Sequence, residues 1–219
     1  MIILIFNILM ETEGKKIKHI NDAKLPIDQI DPVDKIFYNW CQDLAPICYQ
    51  LKLTPNIITT ISLLFKIIAV YYLYHSNILY FTFFYFIQYL FDCLDGTVAR
   101  KYKQYSEYGD LYDHSCDFVY ALCLLYLIYV KYKFQNKYNI VYLLFFGISL
   151  YRFTCVSKIV KNKNQTGIPY EKICPHSIDK IPTLISMLKL FGEGMITVLA
   201  YIYIIHTHHT YLYGYTKQQ

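Results

Sequence analysis

Charged residues are scarce in this chain, and their scarcity argues against an ordinary soluble domain. Only 17% of the 219 residues are charged and 55% are hydrophobic, whereas a typical soluble domain has about 25% charged residues. The formal net charge of +5 is modest, so we expect no nucleic-acid partner. The apolar residues concentrate in runs long enough to cross a bilayer. The composition therefore indicates one membrane domain.

Paired cysteine motifs are also missing. The seven cysteines form an odd set without a Cys-x-x-Cys pair, which argues against a zinc module or a disulfide scaffold. We therefore expect buried, unreactive thiols. The cysteines are Cys41, Cys48, Cys93, Cys116, Cys123, Cys155 and Cys174.

Five apolar runs predict an all-α fold, a polytopic transmembrane helix bundle. The runs cover residues 57–74, 78–94, 117–130, 138–156 and 181–205. The third run reaches full length only if its helix begins near Tyr112. The fifth contains FGEG at residues 191–194, which leaves open one tilted helix or two half-spans. We therefore expect five or six spans.

Basic residues predict how the bundle is oriented. Segments 1–56, 95–112 and 152–180 hold 15 of the 21 Lys and Arg residues. Because basic loops remain on the cytoplasmic side, we expect these three segments to face the cytoplasm. The chain is then divided into a cytoplasmic and interfacial N-terminal segment (1–53), a membrane domain (54–206) and a polar tail (207–219).

Before the first run, apolar residues recur at helical spacing. They are Ile30, Val33, Ile36, Phe37, Trp40, Leu44, Ile47 and Leu51. Charged residues lie between them, so this pattern predicts an N-terminal interfacial amphipathic helix, or two short ones interrupted at Pro46. A helix that packs on the protein instead of on lipid is the alternative.

Four aspartates lie at or inside the second and third runs, where an Asp costs about 2.5–3.5 kcal/mol on insertion scales. On helices, they form two acidic faces with small residues beside them. One face contains Asp92, Asp95, Gly96 and Ala99, and the other contains Gly109, Asp113 and Asp117. A short loop near 100–108 predicts an antiparallel hairpin, so both faces meet at one end of the bundle.

Converging carboxylates repel one another unless protons or cations lie between them. Hard oxygen ligands suit Mg²⁺ or Mn²⁺, which are commonly bound by carboxylates together with substrate phosphates. The four aspartates therefore predict a two-metal centre that binds phosphate. Helix capping is the alternative. It suits Asp113, but not Asp92 and Asp95, which lie near the C-terminal end of their helix.

The stretch from Asp92 to Asp117 reads D-x2-D-G-x2-A-R-x8-G-x3-D-x3-D. This spacing resembles the signature of the CDP-alcohol phosphotransferase family, integral membrane enzymes of phospholipid synthesis. TPNIIT at 54–59 is similar to the start of that family's first membrane helix. The resemblance implies that an alcohol attacks the β-phosphate of a CDP-linked donor and releases CMP. It also implies a homodimer.

The resemblance assigns roles by position. Asp92, Asp95 and Asp113 are similar to the ligands of the metal centre. Asp117 is similar to the general base, and it also contacts metal. The residues that border the CDP moiety are, by the same resemblance, Asn56, Thr59, Asp92, Gly96, Ala99, Arg100 and Gly109.

Substrate identity stays open between two branches. GDLYDHSCD at 109–117 resembles choline and ethanolamine phosphotransferases, whose acceptor is diacylglycerol. The chain length is closer to phosphatidylinositol or phosphatidylglycerophosphate synthases, which use CDP-diacylglycerol and often a phosphorylated acceptor. Arg152 and Lys158 are candidates for such an acceptor pocket, and the alternative is that they mark the membrane boundary.

Two further charged residues lie within the apolar runs. We expect Lys66 to extend toward the interface, with an ion pair to a carboxylate as the alternative. Glu193 is either a headgroup contact or part of a helix-breaking turn.

Two functions of other classes remain. A degenerate family member would bind nucleotide or metal as a membrane scaffold without turnover. A cation transporter would need its carboxylates near the midplane, and the hairpin places them at one end.

Overall fold

The computed structural model describes residues 25–132, 139–162, 174–175 and 177–216. Within these residues the regular elements are all helical, as the sequence predicts. The first 24 residues of the predicted N-terminal segment lie outside the described part. The helices are α1 (Pro32–Gln50), α2 (Pro55–Tyr74), α3 (Ile78–Lys101), α4 (Glu107–Tyr132), α5 (Asn139–Asn162), α6 (Ile181–Met187) and α7 (Glu193–Thr216). Short 3-10 turns at Ile27–Gln29 and Lys189–Phe191 precede α1 and α7.

Four described helices are long and apolar enough to cross a membrane. These spans are Pro55–Tyr74, Ile78–Lys101, Tyr108–Lys131 and Asn139–Ile159. They correspond to the first four predicted runs, and the third helix begins early enough to reach full length. The fifth predicted run is not one helix, because it is interrupted between α6 and α7. Glu193 begins α7 directly after that interruption, a position that agrees with the alternative of a helix-breaking turn.

Helices α2 and α3 form an antiparallel hairpin through the short turn after Tyr74, and α4 and α7 pack against it. The shared core is aromatic and aliphatic. It contains Ala69, Leu73, Phe81, Tyr85, Leu124, Leu127, Ile128, Tyr201, Tyr203 and Ile204. Large apolar side chains such as Leu64, Phe83 and Leu144 are exposed on the outside of the bundle, as expected for helices that contact lipid.

Helix α1 runs without interruption through Pro46, which corrects the prediction of a break there. Proline has no N–H and leaves the carbonyl four residues earlier without its helical donor. Here that carbonyl belongs to Gln42, and Lys101 Nζ donates to it at 3.2 Å. The hydrogen bond replaces the missing one and ties α1 to the end of α3. One face of α1 packs on α3 and α7, while Trp40 and Ile47 on other faces are exposed.

Asp31 caps two helices at once. Its Oδ1 accepts from the backbone N–H groups of Val33 and Asp34, each at 3.0 Å, at the start of α1. Its Oδ2 accepts from the N–H of Gly194 at 3.3 Å, in the first turn of α7. The side chain is fully buried, at 0% exposure. The anion thus satisfies donors from both helix N-termini.

The glycines of the FGEG stretch permit this close approach. A Cβ on Gly192 would overlap the Asp31 carboxylate, and a Cβ on Gly194 would lie 2.7 Å from the backbone nitrogen of Asp34. The glycines before α7 are therefore explained by the close contact between α1 and α7.

A disulfide joins Cys155 of α5 to Cys174, 19 residues later. The prediction of unreactive thiols is therefore wrong for this pair. The other five cysteines are free, and Cys41, Cys48 and Cys116 are buried as expected. The pattern could not reveal the bond, because a single pair without a short motif has no signature in one sequence.

We expect Asp31→Ala to lower the free energy of unfolding by about 1–3 kcal/mol, because three buried donors lose their acceptor. Asp31→Asn should lose less, since its carbonyl oxygen still caps α1. Thermal unfolding in detergent measures both variants. Asp43→Ala on the exposed side of α1 is the control. Equal losses for Asp31→Ala and Asp43→Ala would contradict the double cap.

The buried carboxyl of Asp34 makes the free energy of unfolding depend on pH. Burial raises the pKa of its carboxyl well above the usual value, and the charges of Asp31 and Glu193 raise it further. The folded chain therefore holds a proton that the unfolded chain has released, and stability falls as pH rises above the ordinary Asp pKa of about 3.9. We expect Asp34→Asn to unfold at a higher temperature than wild type at pH 7, with the difference vanishing near pH 4. An unchanged difference across this range would contradict the shift.

Candidate active site

A stripe of polar side chains on α2 faces α3 and donates hydrogen bonds to it beside the site. Thr59, Ser62 and Lys66 lie on one helical face and are all buried. Thr59 Oγ1 donates to Asp95 Oδ2 at 2.5 Å, and Ser62 Oγ donates to the carbonyl of Gln88 at 2.9 Å. These contacts fix the register of the hairpin, because buried polar groups need their partners.

Three of the four predicted aspartates converge. Asp92 of α3 and Asp113 and Asp117 of α4 each place one carboxylate oxygen within 4.8 Å of the others. Asp95 is outside this cluster and is held by Thr59 at 6% exposure. We call Asp92, Asp113 and Asp117 the carboxylate cluster. The side chain of Asp117 is 45% exposed, so a bound molecule can reach it.

Lys66 lies at the centre of this charge distribution. Its side chain is only 2% exposed, and Nζ donates to Asp92 Oδ1 at 2.6 Å. The same ammonium donates to Asp117 Oδ1. The expectation that Lys66 extends toward the interface is therefore wrong, and the alternative of an ion pair holds. A buried ammonium needs a partner charge, and Asp92 and Asp117 supply two.

The carboxylate cluster fits a divalent cation. Its donors are hard oxygen atoms, which Mg²⁺ and Mn²⁺ prefer. Asp113 Oδ1 is buried and has no hydrogen-bond partner among the described residues. A buried carboxylate oxygen without a partner is costly, and a cation would satisfy it. The residues present therefore suit the implied metal.

Two predicted CDP-binding positions on different helices come together at a glycine. A Cβ on Gly109 would lie 2.6 Å from Asn56 Oδ1, so α2 and α4 approach closely only because Gly109 has no side chain. Gly109 N–H donates to Ser106 Oγ at 2.9 Å at the start of α4. The amide side chain of Asn56 is thereby held next to the first turn of α4.

Arg100 lies against α1. Its guanidinium stacks over the ring of Tyr38, 5.4 Å from the ring centroid, and donates to the Tyr38 hydroxyl. The guanidinium also lies close to Gly96, where a Cβ would be 2.9 Å from Nη1. Ala99, the remaining predicted position, lies next to Arg100 on α3 and is half-buried. Tyr38 was not predicted, because a half-buried tyrosine on an amphipathic helix has no sequence signal of its own.

His114 is a second residue that the sequence analysis did not assign. Its Nδ1 lies 2.7 Å from the carbonyl of Asp110 and 3.9 Å from Asp113 Oδ2. Its ring lies 5.7 Å from that of Phe153 in α5. The imidazole therefore borders the carboxylate cluster on the side of α5.

The two candidates for an acceptor pocket contact other parts of the chain. Arg152 is buried and donates to the carbonyl of Gln29 at 2.7 Å. Lys158 donates to the carbonyl of Cys174 at 3.0 Å. In the part of the chain that the structure describes, Arg152 forms no ion pair with the four aspartates. Its Nε is buried without a hydrogen-bond partner there.

Comparison with known proteins identifies the family to which this geometry belongs. A family model described as CDP-alcohol phosphatidyltransferase matches residues 52–212, which is most of the chain. The match includes α2 to α4 and the four predicted site aspartates. The chain matches no curated protein and no solved structure.

Thr59 tests whether Asp95 also contributes to metal binding. We expect Thr59→Val to weaken Mn²⁺ affinity by about 10–100-fold, because partners that orient metal ligands have effects of this size. Electron paramagnetic resonance of free Mn²⁺ measures the affinity. Thr82→Val, which removes a hydroxyl bonded to Tyr201, is the control. Equal Mn²⁺ affinity in both variants would place Asp95 outside the ligand set.

Proposed function

The chain belongs to the CDP-alcohol phosphatidyltransferase family of membrane transferases, and we propose that the carboxylate cluster is its catalytic centre. There, a phosphatidyl or phospho-alcohol group passes from a CDP-linked donor to an alcohol, as a step of phospholipid biosynthesis. The observation that carries this proposal is the convergence of Asp92, Asp113 and Asp117 from two membrane helices. A site that binds cations and phosphates compensates their repulsion.

Asp117 acts as the general base in this proposal. The acceptor hydroxyl gives its proton to the Asp117 carboxylate as its oxygen attacks the β-phosphorus of the donor. The bond between that phosphorus and the bridging oxygen breaks, and CMP leaves. The 45% exposure of the Asp117 side chain supports this role, because a base must be within reach of its substrate. Positioned base catalysis contributes about 10²–10⁴-fold.

The four aspartates would hold the cofactor. Asp92, Asp95 and Asp113, together with Asp117, are the residues we assign to Mg²⁺ or Mn²⁺. A two-metal centre supplies neutralisation of the pyrophosphate and of the charge that develops on the leaving group. The unpartnered Asp113 Oδ1 supports this assignment. Metal identity is left to experiment.

We assign the CDP moiety to the surface between α2, α3 and the start of α4. Asn56 and Gly109 border one side of it, and Gly96, Ala99 and Arg100 border the other. Stacking on Tyr38 holds the Arg100 guanidinium, which suits it to phosphate recognition because less side-chain freedom is lost on binding.

Two classes of CDP-linked donor are candidates for this site. The similarity of residues 109–117 to choline and ethanolamine phosphotransferases favours CDP-choline or CDP-ethanolamine, with diacylglycerol as the acceptor. Arg152 favours the second class, in which CDP-diacylglycerol donates to an acceptor such as glycerol 3-phosphate. Its buried Nε without a hydrogen-bond partner is a donor suited to an anion. Lys158 would extend the same pocket.

The proposal also covers the side of the membrane that the active site faces, the oligomeric state and the limits of the membrane domain. We place the active site on the cytoplasmic side, because the connection between α3 and α4 belongs to the three segments that are rich in Lys and Arg. A homodimer follows from the family resemblance alone. The membrane domain is assigned to residues 54–206.

CMP release by the purified protein in lipid–detergent micelles with Mn²⁺ tests the proposed function. One arm supplies CDP-choline or CDP-ethanolamine with diacylglycerol. The other supplies CDP-diacylglycerol with inositol, glycerol 3-phosphate or serine. Acceptor-dependent release in one arm identifies the donor class. Nucleotide binding without release in every arm would instead support a degenerate scaffold.

We expect Asp117→Asn to lower the rate of CMP release by at least about 10²-fold, since the amide cannot accept the proton. Binding of the CDP donor, measured by titration calorimetry, should change little. Asp110→Asn, on the same helix but outside the carboxylate cluster, is the control. A near-normal rate for Asp117→Asn would contradict the assignment of the base.

A further inference from the structure

Lys66 is the only charged residue in α2, and nothing in the proposed reaction uses it. It lies 11 residues after Pro55, which places it about 16 Å along the helix from the first turn. An ammonium at this depth is costly unless carboxylates compensate its charge. Its position on the polar stripe, one turn beyond Ser62, directs it toward α3 and α4.

We propose that Lys66 is a resident cation of the carboxylate cluster that competes with divalent metal for Asp92 and Asp117. The competition follows from the contacts. Its ammonium bonds Oδ1 of Asp92 at 2.6 Å and Oδ1 of Asp117. These two carboxylates are also two of the three that converge closely enough to hold an ion.

The Lys66 ammonium and a divalent ion differ in charge and in the number of oxygen ligands that they bind. The ammonium has one charge and three directed donors, and it is bound covalently to the chain. A divalent ion has twice the charge and takes several oxygen ligands at once. Lys66 therefore holds Asp92 and Asp117 together as a pair, and an ion that binds the same Oδ1 atoms has to displace the ammonium from at least one of them.

The third carboxylate explains why a single ammonium is insufficient. Asp113 Oδ1 has no hydrogen-bond partner within the described structure, and the bonds of Lys66 reach only Asp92 and Asp117. Lys66 thus satisfies part of the carboxylate cluster and leaves Asp113 for the ion. Lys66 sets the metal affinity of the site and stabilises the carboxylate cluster in its own right.

This inference rests on the proposed function only in assigning metal to the same carboxylates. It is tested by Mn²⁺ binding without any nucleotide, so failure of CMP release would not alter its outcome. The variants are Lys66→Met and Lys66→Gln, which remove the charge, and Lys66→Arg, which keeps it. Lys189→Met is the control, since Lys189 is an exposed lysine outside the site.

We expect both neutral variants to bind Mn²⁺ more tightly than wild type, on the order of tenfold to a hundredfold, because a competing charge has been removed. Lys66→Arg and Lys189→Met should bind within about threefold of wild type, a difference of less than 1 kcal/mol. Equal or weaker Mn²⁺ binding by both neutral variants would overturn the proposal.

Thermal unfolding gives a second readout, in which the effect of Mn²⁺ is observed as a change in stability. In chelator, both neutral variants should unfold below wild type, and Mn²⁺ should raise their unfolding temperature more than that of wild type. Neutral variants that fold only when Mn²⁺ is present would also support the proposal. Neutral variants that remain unfolded with Mn²⁺, or that gain no more stability from it than wild type, would refute the competition.

Discussion

Compensation of carboxylate charge inside an apolar helix bundle is the constraint on which the rest of this structure depends. Asp92, Asp113 and Asp117 converge between two membrane helices, and an uncompensated carboxylate within a membrane span is costly. Lys66 supplies one resident positive charge. Elsewhere on the polar stripe of α2, Thr59 donates to Asp95 and Ser62 donates to a carbonyl of α3. Polar contacts therefore hold the hairpin of α2 and α3, and Lys66 also joins it to Asp117 of α4.

Hydrogen bonds to buried acceptors also fix α1, the other helix that packs on α3. Helix α1 is held by its N-terminus, where Asp31 caps both α1 and α7, and near its C-terminus, where Lys101 replaces the hydrogen bond lost at Pro46. Fixing α1 at both ends also positions Tyr38 beneath the Arg100 guanidinium. A residue of the N-terminal helix thereby helps to shape the predicted nucleotide surface, although α1 lies entirely before the matched family region.

Helical periodicity was sufficient to predict the all-helical bundle, four of its spans and the meeting of Asp92 with Asp113 and Asp117. These features depend on spacing within one helix and on a short connection, both of which are readable in a sequence. The partners of Lys66, the double cap of Asp31 and the Cys155–Cys174 bond were not predictable in this way. Each depends on which residue of a distant segment lies opposite, and a single sequence carries no information on that pairing.

Dependence of the reaction on a divalent cation is the most direct test of the account. CMP release with the productive donor and acceptor should fall to background when a chelator removes divalent ions, and should return on addition of Mn²⁺ or Mg²⁺. Such behaviour follows if the carboxylates exist to hold metal against phosphate. Undiminished release in chelator, with metal removal verified by elemental analysis, would contradict the central role assigned to the carboxylate cluster.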